Sequence, residues 1–222
     1  MRDLTRPQLL IIAAAAIALM TAAVGIYGLL TGPSRPPVHT RPAAHPDARG
    51  GAVPSPVVAA DPSTVVLPHA DNPIAYARAI TDALFDWDTS SGFMPSDYEA
   101  PVLADADPSG EETAGLIADV ATYLPTNDQW LNLATMDVAQ TISIKSAGVP
   151  ADWQTIATNA HGELRPGTKA VTVTGMRHRT GVWNDQPAST TGAVSFTVFV
   201  ACPPAFDRCH ILRLSQLDNP LR

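Results

Sequence analysis

Hydrophobic positions divide the chain into an apolar N-terminal run, a proline-rich segment and a patterned C-terminal region. Residues 9–30 contain no charged side chain, and as a helix they would extend about 33 Å, enough to span the hydrocarbon core of a bilayer. We therefore expect a transmembrane helix over residues 9–30 and a cytoplasmic tail over residues 1–8. A cleaved signal peptide is the alternative, although this run exceeds the usual apolar core of about 7 to 15 residues.

Residues 31–72 are dense in Pro, Ala and Gly and contain few large apolar side chains. Such a composition cannot bury a core, so we expect a proline-rich disordered linker. Two arginines, Arg2 and Arg6, lie in the short leading tail, which favours a cytoplasmic N-terminus, but Arg35, Arg41 and Arg49 follow the apolar run and nearly balance the charge. The orientation is therefore based on the cysteine pair and on the composition of the linker. The predicted protein is thus a single-pass protein of the cell membrane, with an extracytoplasmic domain over residues 73–222.

In the C-terminal region, apolar residues first recur at helical spacing. An asparagine precedes Pro73, which is typical of a helix start, and we expect a helix from there to about Asp88. A second helix is predicted from Ser109, the first residue of a capping-box pattern, to Pro125. A shorter helix is expected over residues 127–134. The apolar positions of the first helix are Ile74, Ala77, Ile80, Leu84 and Trp87.

After Met136, β-branched residues alternate with polar ones, and this period of two predicts strands. Helices followed by strands indicate an α+β fold, with the helices on one face of an antiparallel sheet. The segment over residues 153–160 fits either a short strand or a helical turn. The four predicted strands run near residues 138–147, 170–182, 193–201 and 210–217.

The charge and the cysteines restrict the function classes. A formal charge of -7 argues against direct nucleic-acid binding, which relies on Lys and Arg to neutralise phosphates. Cys202 and Cys209 bracket the turn between the last two predicted strands, so we expect a disulfide, with two free thiols as the alternative. A metal site that included His210 would need a fourth ligand. We expect no metal and no cofactor.

Catalytic and metal-binding motifs are not found. Asp105, Asp107, Ser109 and Gly110 resemble the first half of a calcium loop, but Leu116 stands where the twelfth position requires glutamate. Ser109 is better explained as a helix cap. The sequence contains no nucleophile elbow, P-loop, dinucleotide-binding turn or zinc-protease helix, so we expect no catalytic residue. The four tryptophans are expected in the core.

Four sequence segments of the C-terminal region resemble a known protein family. They are DNPIAYARAITDALFDWDT, GTKAVTVTGMRHRTGVW, SFTVFVACPP and CHILRLSQLDNP. Together with the order of elements, they resemble the bitopic conjugative-transfer proteins of type IV secretion systems, the TcpC and inner-membrane assembly-factor group. The resemblance covers about residues 72–222. It implies a nuclear-transport-factor-two-like cone with helices on a curved four-stranded antiparallel sheet.

This resemblance implies a non-enzymatic scaffold of a conjugative DNA-transfer apparatus, whose domain self-associates and contacts other channel subunits. One alternative is an anchored ligand-binding or hydrolase-like domain of the same fold, for which a deep cavity converging on His161, His178 or paired carboxylates would argue. Another is an accessory protein of a different envelope transport system. A filled interior with an exposed sheet edge or apolar helix face would favour the scaffold.

Overall fold

The computed structural model describes residues 60–222. The predicted tail over residues 1–8, the transmembrane helix over residues 9–30 and the linker as far as residue 59 lie outside the described residues and stay predictions. Within residues 60–222, no helix has both the length and the apolar character that a membrane crossing needs.

The described residues form an α+β domain with a curled, fully antiparallel sheet in the order β1-β2-β3-β4-β5. The predicted fold class is confirmed at this level. Five helices are present: α1 (Pro73–Phe85), α2 (Pro95–Ala104), α3 (Thr113–Val120), α4 (Asn127–Ala134) and α5 (Trp153–Asn159). The strands are β1 (Trp87–Asp88), β2 (Ala139–Gly148), β3 (Thr168–Trp183), β4 (Gln186–Ala201) and β5 (His210–Leu214).

The sheet has five strands where the sequence predicted four. The additional strand, β1, pairs with β2 through Trp87 and Gln140. We predicted these residues of β1 as the end of the first helix, but the backbone leaves the helix at Asp86, with φ of -93° and ψ of 98°. The buried Gln140 side chain holds this break, because its Nε2 donates a hydrogen bond to the carbonyl oxygen of Phe85 at 3.0 Å.

Two further helices differ from the prediction. Helix α2 was not predicted from the sequence. It begins with a proline, and the Met94 N–H stabilises its first turn by donating to the Asp97 carboxylate at 2.7 Å. The next helix begins at Thr113, because the Ser109 hydroxyl donates to Asp107 instead of capping the helix. Helix α4 has the predicted bounds, and the segment that fitted a strand or a helical turn is α5.

Residues before α1 pack on the domain, although their composition predicted a linker up to residue 72. Pro62–Thr64 form a 3-10 turn capped by Asp61, and Leu67 lies in the core. The N–H of Cys209 donates to the carbonyl oxygen of Ala70 at 2.7 Å. One apolar side chain and one backbone hydrogen bond thus fix a segment that composition alone assigns to the linker.

Aromatic side chains fill the space between the helices and the sheet. The ring of Phe85, on α1, stacks on Phe196 of β4 with centroids 5.3 Å apart. Trp130, on α4, lies with its centroid 5.2 Å from Trp87 and 5.4 Å from Tyr98. All five side chains are buried. Because aromatic rings bury large areas, this cluster supplies much of the hydrophobic stabilisation of the domain.

Strands β3 and β4 form a hairpin that extends past the rest of the sheet. Their register holds along all 16 residues of each strand without a bulge. The last pair is Trp183 with Gln186, and the two-residue turn, Asn184 and Asp185, has φ of 51° and 59°. Positive φ at both positions is typical of a type I′ hairpin turn. Pairing with β2 ends at Thr180, so the hairpin end has no neighbouring strand on that side.

The outer edges of the sheet differ in how they are covered. The edge of β2 has an irregularity at Lys145, and a bulge with a charged side chain discourages pairing with a further strand. Residues 105–107 cover β5 by hydrogen bonds with the backbone of Ile211. Residues 187–193 of β4 carry no charged side chain and have no partner strand on their outer side within the described part of the chain.

Candidate functional site

The two predicted disulfide residues lie together. Cys202, just after β4, and Cys209, just before β5, are within disulfide distance, and their Cα atoms are 3.9 Å apart. Both side chains are buried. The loop between them carries Arg208, so the cysteine pair holds the base of a loop whose arginine reaches into the domain.

Asp105 belongs to a largely buried polar cluster. Its carboxylate accepts hydrogen bonds from the Tyr76 hydroxyl and, at 2.6 Å, from Nη1 of Arg208. The Nδ1 atom of His210 lies 3.3 Å from the Asp105 carbonyl oxygen. Burial and then the hydrogen bond and charge of Asp105 raise the pKa of Tyr76. The cluster joins α1, the loop after α2, the cysteine loop and β5.

Asp107 also has protein partners. Its carboxylate accepts from the Ser109 N–H at 3.0 Å, from the Ser109 hydroxyl and from Nη1 of Arg165 at 3.3 Å. Burial alone would raise the pKa of Asp107, but the hydrogen bonds from Ser109 and the charges of Arg165 and His210 outweigh it and hold the pKa below its ordinary value. Among residues 60–222, no group of three or more His, Cys, Asp or Glu is arranged to hold a metal ion.

Neither of the histidines considered for a catalytic role is buried. His161 follows α5 and is exposed, with φ of 48°. His178 is on the sheet face opposite α1, and its Nδ1 lies 3.1 Å from the Thr191 hydroxyl. Within the described range, the histidine that lies within 4 Å of a carboxylate is His210, at 3.7 Å from Asp105. His161 and His178 therefore lack the paired carboxylate that a general base commonly has.

An apolar groove of about 260 Å³ lies at the end of the β3–β4 hairpin. Leu133, on α4, and Met136 form one wall, and Gly181 and Trp183 of β3 form the other. The Trp183 side chain is 62% exposed, which corrects the expectation that all four tryptophans are in the core. The remaining lining residues are Val138, Arg179, Thr180, Val182, Ala188, Ser189 and Thr190.

The hairpin approaches the turn after α4 closely because β3 has a glycine there. The N–H of Val182 donates to the carbonyl oxygen of Met136 at 2.7 Å. A Cβ on Gly181 would lie 2.8 Å from the same oxygen, closer than real contacts allow. Gly181 thus permits the close approach of β3 to Met136 at this groove.

A second groove, of about 430 Å³, adjoins the first, and Leu133 and Arg179 line both. Gln129 and Asn132 of α4 and Arg177 of β3 contribute its polar side chains. We call the two together the hairpin groove, with an apolar half and an arginine half. The other residues of the arginine half are Thr122, Tyr123, Leu124, Pro125 and Leu217.

Two contacts hold the Arg179 side chain in place. Its Nε donates to Oε1 of Gln140 at 2.8 Å, and its guanidinium lies 5.4 Å from the ring centroid of Trp87. Burial lowers the pKa of Arg179, and the positive charge of Arg177 lowers it further. The arginine half is therefore a positively charged, partly desolvated region on an acidic chain.

The hairpin groove was not predicted, although the sequence contains two signals for it. Arg177 and Arg179 are separated by one residue, so on a strand they share a face. Asn184 and Asp185 can both adopt positive φ, and recognising them as a two-residue turn would have placed Trp183 at the end of a hairpin.

Comparisons of the chain with protein-family models, with curated proteins and with solved structures found no match.

Proposed function

We propose that this protein is a non-enzymatic, membrane-anchored structural component of a conjugative DNA-transfer apparatus of the type IV secretion kind. The observation that carries the proposal is the hairpin groove, where Trp183 is exposed beside Leu133 and Met136. Tryptophan is enriched among the residues that contribute most to protein–protein binding, and a grouped apolar surface of this kind is typical of a docking site.

The interior of the domain supports docking over ligand binding. In a nuclear-transport-factor-two-like cone, which we infer for this domain from its helices on a curled antiparallel sheet, a ligand would lie between the helices and the sheet. Phe85, Tyr123 and Phe196 make aromatic contacts with one another in that space, with centroids 5.2 to 6.0 Å apart. A filled interior leaves the surface as the place where the domain acts.

We infer that residues 9–30 anchor the chain in the cell membrane and that the domain lies outside the cytoplasm. The closely placed Cys202 and Cys209 support an oxidising location, because disulfides persist there. Protease added to intact, wall-stripped cells should degrade the domain. Protection until the cells are lysed would mean that the topology is inverted.

The proposal is tested by deleting the gene and measuring DNA transfer from the host cell, which should be lost and restored by the intact chain. A photo-crosslinking amino acid at Trp183 should then capture subunits of the transfer channel in membranes. The same substitution at Glu163, an exposed residue after α5, is the matched control and should not capture them. Unchanged transfer in the deletion strain would overturn the proposal.

A further inference from the structure

Arg177 and Arg179 differ from the arginines that are ion-paired in the domain. Arg165, Arg208 and Arg213 each lie within 3.3 Å of a carboxylate oxygen. Arg177 and Arg179 have no such partner within residues 60–222. The chain has 21 acidic and only 14 basic residues, so carboxylates are not scarce.

Placing these two arginines together is unfavourable in the free domain. They lie on the same side of β3, two residues apart, and both are partly buried. Like charges repel, and partial burial removes some of the water that would screen them. A carboxylate bound between them would remove the repulsion and replace the lost hydration.

The guanidinium of Arg179 is oriented in advance. Its Nε donates a hydrogen bond to Gln140 and its Cζ lies over the Trp87 ring, while its two Nη atoms have no hydrogen-bond partner among the described residues. Two N–H groups on one edge of a guanidinium match the two oxygens of a carboxylate. Beside Arg177, the opposite strand has Gly192, where a Cβ would meet nothing within 4 Å, so the approach is open.

The apolar half of the hairpin groove adds a second kind of contact. Leu133 and Arg179 line both halves, so a ligand at the arginines reaches Met136 and Trp183 directly. Volumes of about 260 and 430 Å³ admit a few side chains. The surface therefore fits a ligand that carries carboxylates next to apolar groups.

We infer that the hairpin groove binds an acidic segment of a partner protein, with its carboxylates at Arg177 and Arg179 and an apolar side chain against Trp183. This inference rests on the proposed function, since it names the chemistry of the partner that the domain contacts.

Charge favours a peptide over other anionic partners. Nucleic acids and anionic membranes are extended arrays of negative charge, and a chain with a formal charge of -7 repels them at long range. A peptide segment brings a few carboxylates to a groove of side-chain dimensions, where short-range hydrogen bonds dominate. The apolar half of the groove matches the leucine or aromatic residues of such a segment.

The test uses the full chain in detergent and a short fluorescein-labelled peptide of alternating glutamate and leucine. Fluorescence anisotropy should show binding, and the same peptide with glutamine in place of glutamate should bind at least about 10-fold more weakly. The double variant Arg177→Glu, Arg179→Glu should weaken binding by a similar factor. The matched control, Lys145→Glu with Lys169→Glu, makes the same change of net charge outside the groove and should leave binding unchanged.

Equal affinity for the two peptides, no binding of the glutamate peptide, or unchanged binding by the arginine variant would overturn the inference. The inference would also be overturned if a single-stranded oligonucleotide or phosphatidylglycerol vesicles bind in an arginine-dependent way and the peptide does not displace them. If thermal unfolding shows that the double variant is destabilised, the single variant Arg177→Gln is used in its place. The Arg177 side chain makes no hydrogen bond within the described residues.

DNA transfer separates this inference from the proposed function. If deletion of the gene abolishes transfer while the folded arginine variant transfers normally, the acidic-segment inference fails and the proposed function stands. If deletion has no effect but the peptide binds through the arginines, the proposed function fails and the groove chemistry stands.

Discussion

Removing the cysteine pair should destabilise the domain by a predictable amount. Replacing Cys202 and Cys209 with alanine releases a loop whose ends are seven positions apart. For so short a loop, the chain-entropy model gives a loss of about 2.5 kcal/mol in the free energy of unfolding. For a domain of this size, each kcal/mol shifts the melting temperature by about 2 to 4 °C, so we expect a fall of about 5 to 10 °C.

The structure adds a second contribution through the loop. Arg208 lies next to Cys209 and donates to the partly buried Asp105 carboxylate at 2.6 Å. A looser loop holds Arg208 less firmly, so part of this ion pair is lost with the disulfide. In a double-mutant cycle, Arg208→Ala should therefore lower the free energy of unfolding less when Cys202 and Cys209 are already alanine than in the parent chain.

The assay is thermal unfolding of the full chain in detergent, followed by tryptophan fluorescence, with and without a reducing agent. Mass spectrometry after alkylation without reduction should show both thiols blocked from modification. Reduction of the parent chain should reproduce the melting temperature of the alanine variant. Alkylation of both thiols without reduction, or an unchanged melting temperature after reduction, would contradict a stabilising disulfide between Cys202 and Cys209.

Three further substitutions test other features of the domain. Gly167→Ala should lower the free energy of unfolding by about 2 kcal/mol or more, because φ is 88° and a Cβ would overlap the Cys202 carbonyl oxygen. Urea unfolding measures the loss, and an unchanged midpoint would contradict the prediction. Thr126→Ala should lower the free energy of unfolding by about 1 kcal/mol in the same assay, because it removes the capping box that Thr126 forms with Gln129. A loss below a few tenths of a kcal/mol would rule out a stabilising cap. The pKa of Asp107 is lowered in the folded state, so its stabilisation is present above about pH 4 and is lost as the pH falls through the folded-state pKa. Asp107→Asn should reduce the acid dependence of the urea midpoint, and an unaltered dependence would exclude this assignment.

Elements with a regular hydrophobic pattern could be predicted from the sequence. Helix α1 and residues 193–201 of β4 each present one continuous apolar face, and both were predicted from it. Residues 186–192 of β4 contain no large apolar side chain and were not predicted as part of a strand. Helix α4 was predicted with its observed bounds, Asn127–Ala134. Helix α2 was missed because it has prolines at its start and at Pro101, and its apolar residues form no clear stripe. Its burial depends on neighbours in the tertiary structure, and local pattern does not contain that information.

The hairpin groove depends on register between distant segments. Arg177 and Trp183 share a face of β3, but only packing decides that this face meets Leu133 and Met136 of another element. The pairing of Cys202 with Cys209 was accessible because both lie at the ends of neighbouring strands. Contacts between residues close in sequence could thus be predicted, and contacts between residues of separate elements could not.

The unequal edges of the sheet limit how copies of this domain could join through backbone hydrogen bonds. Lys145 obstructs one side and residues 105–107 cover the strand at the other, which leaves residues 187–193 as the open stretch within the described residues. Two molecules that paired there in antiparallel fashion would use up both open stretches at once. Such a pair closes on itself at a stoichiometry of two and leaves neither of these stretches free for further pairing.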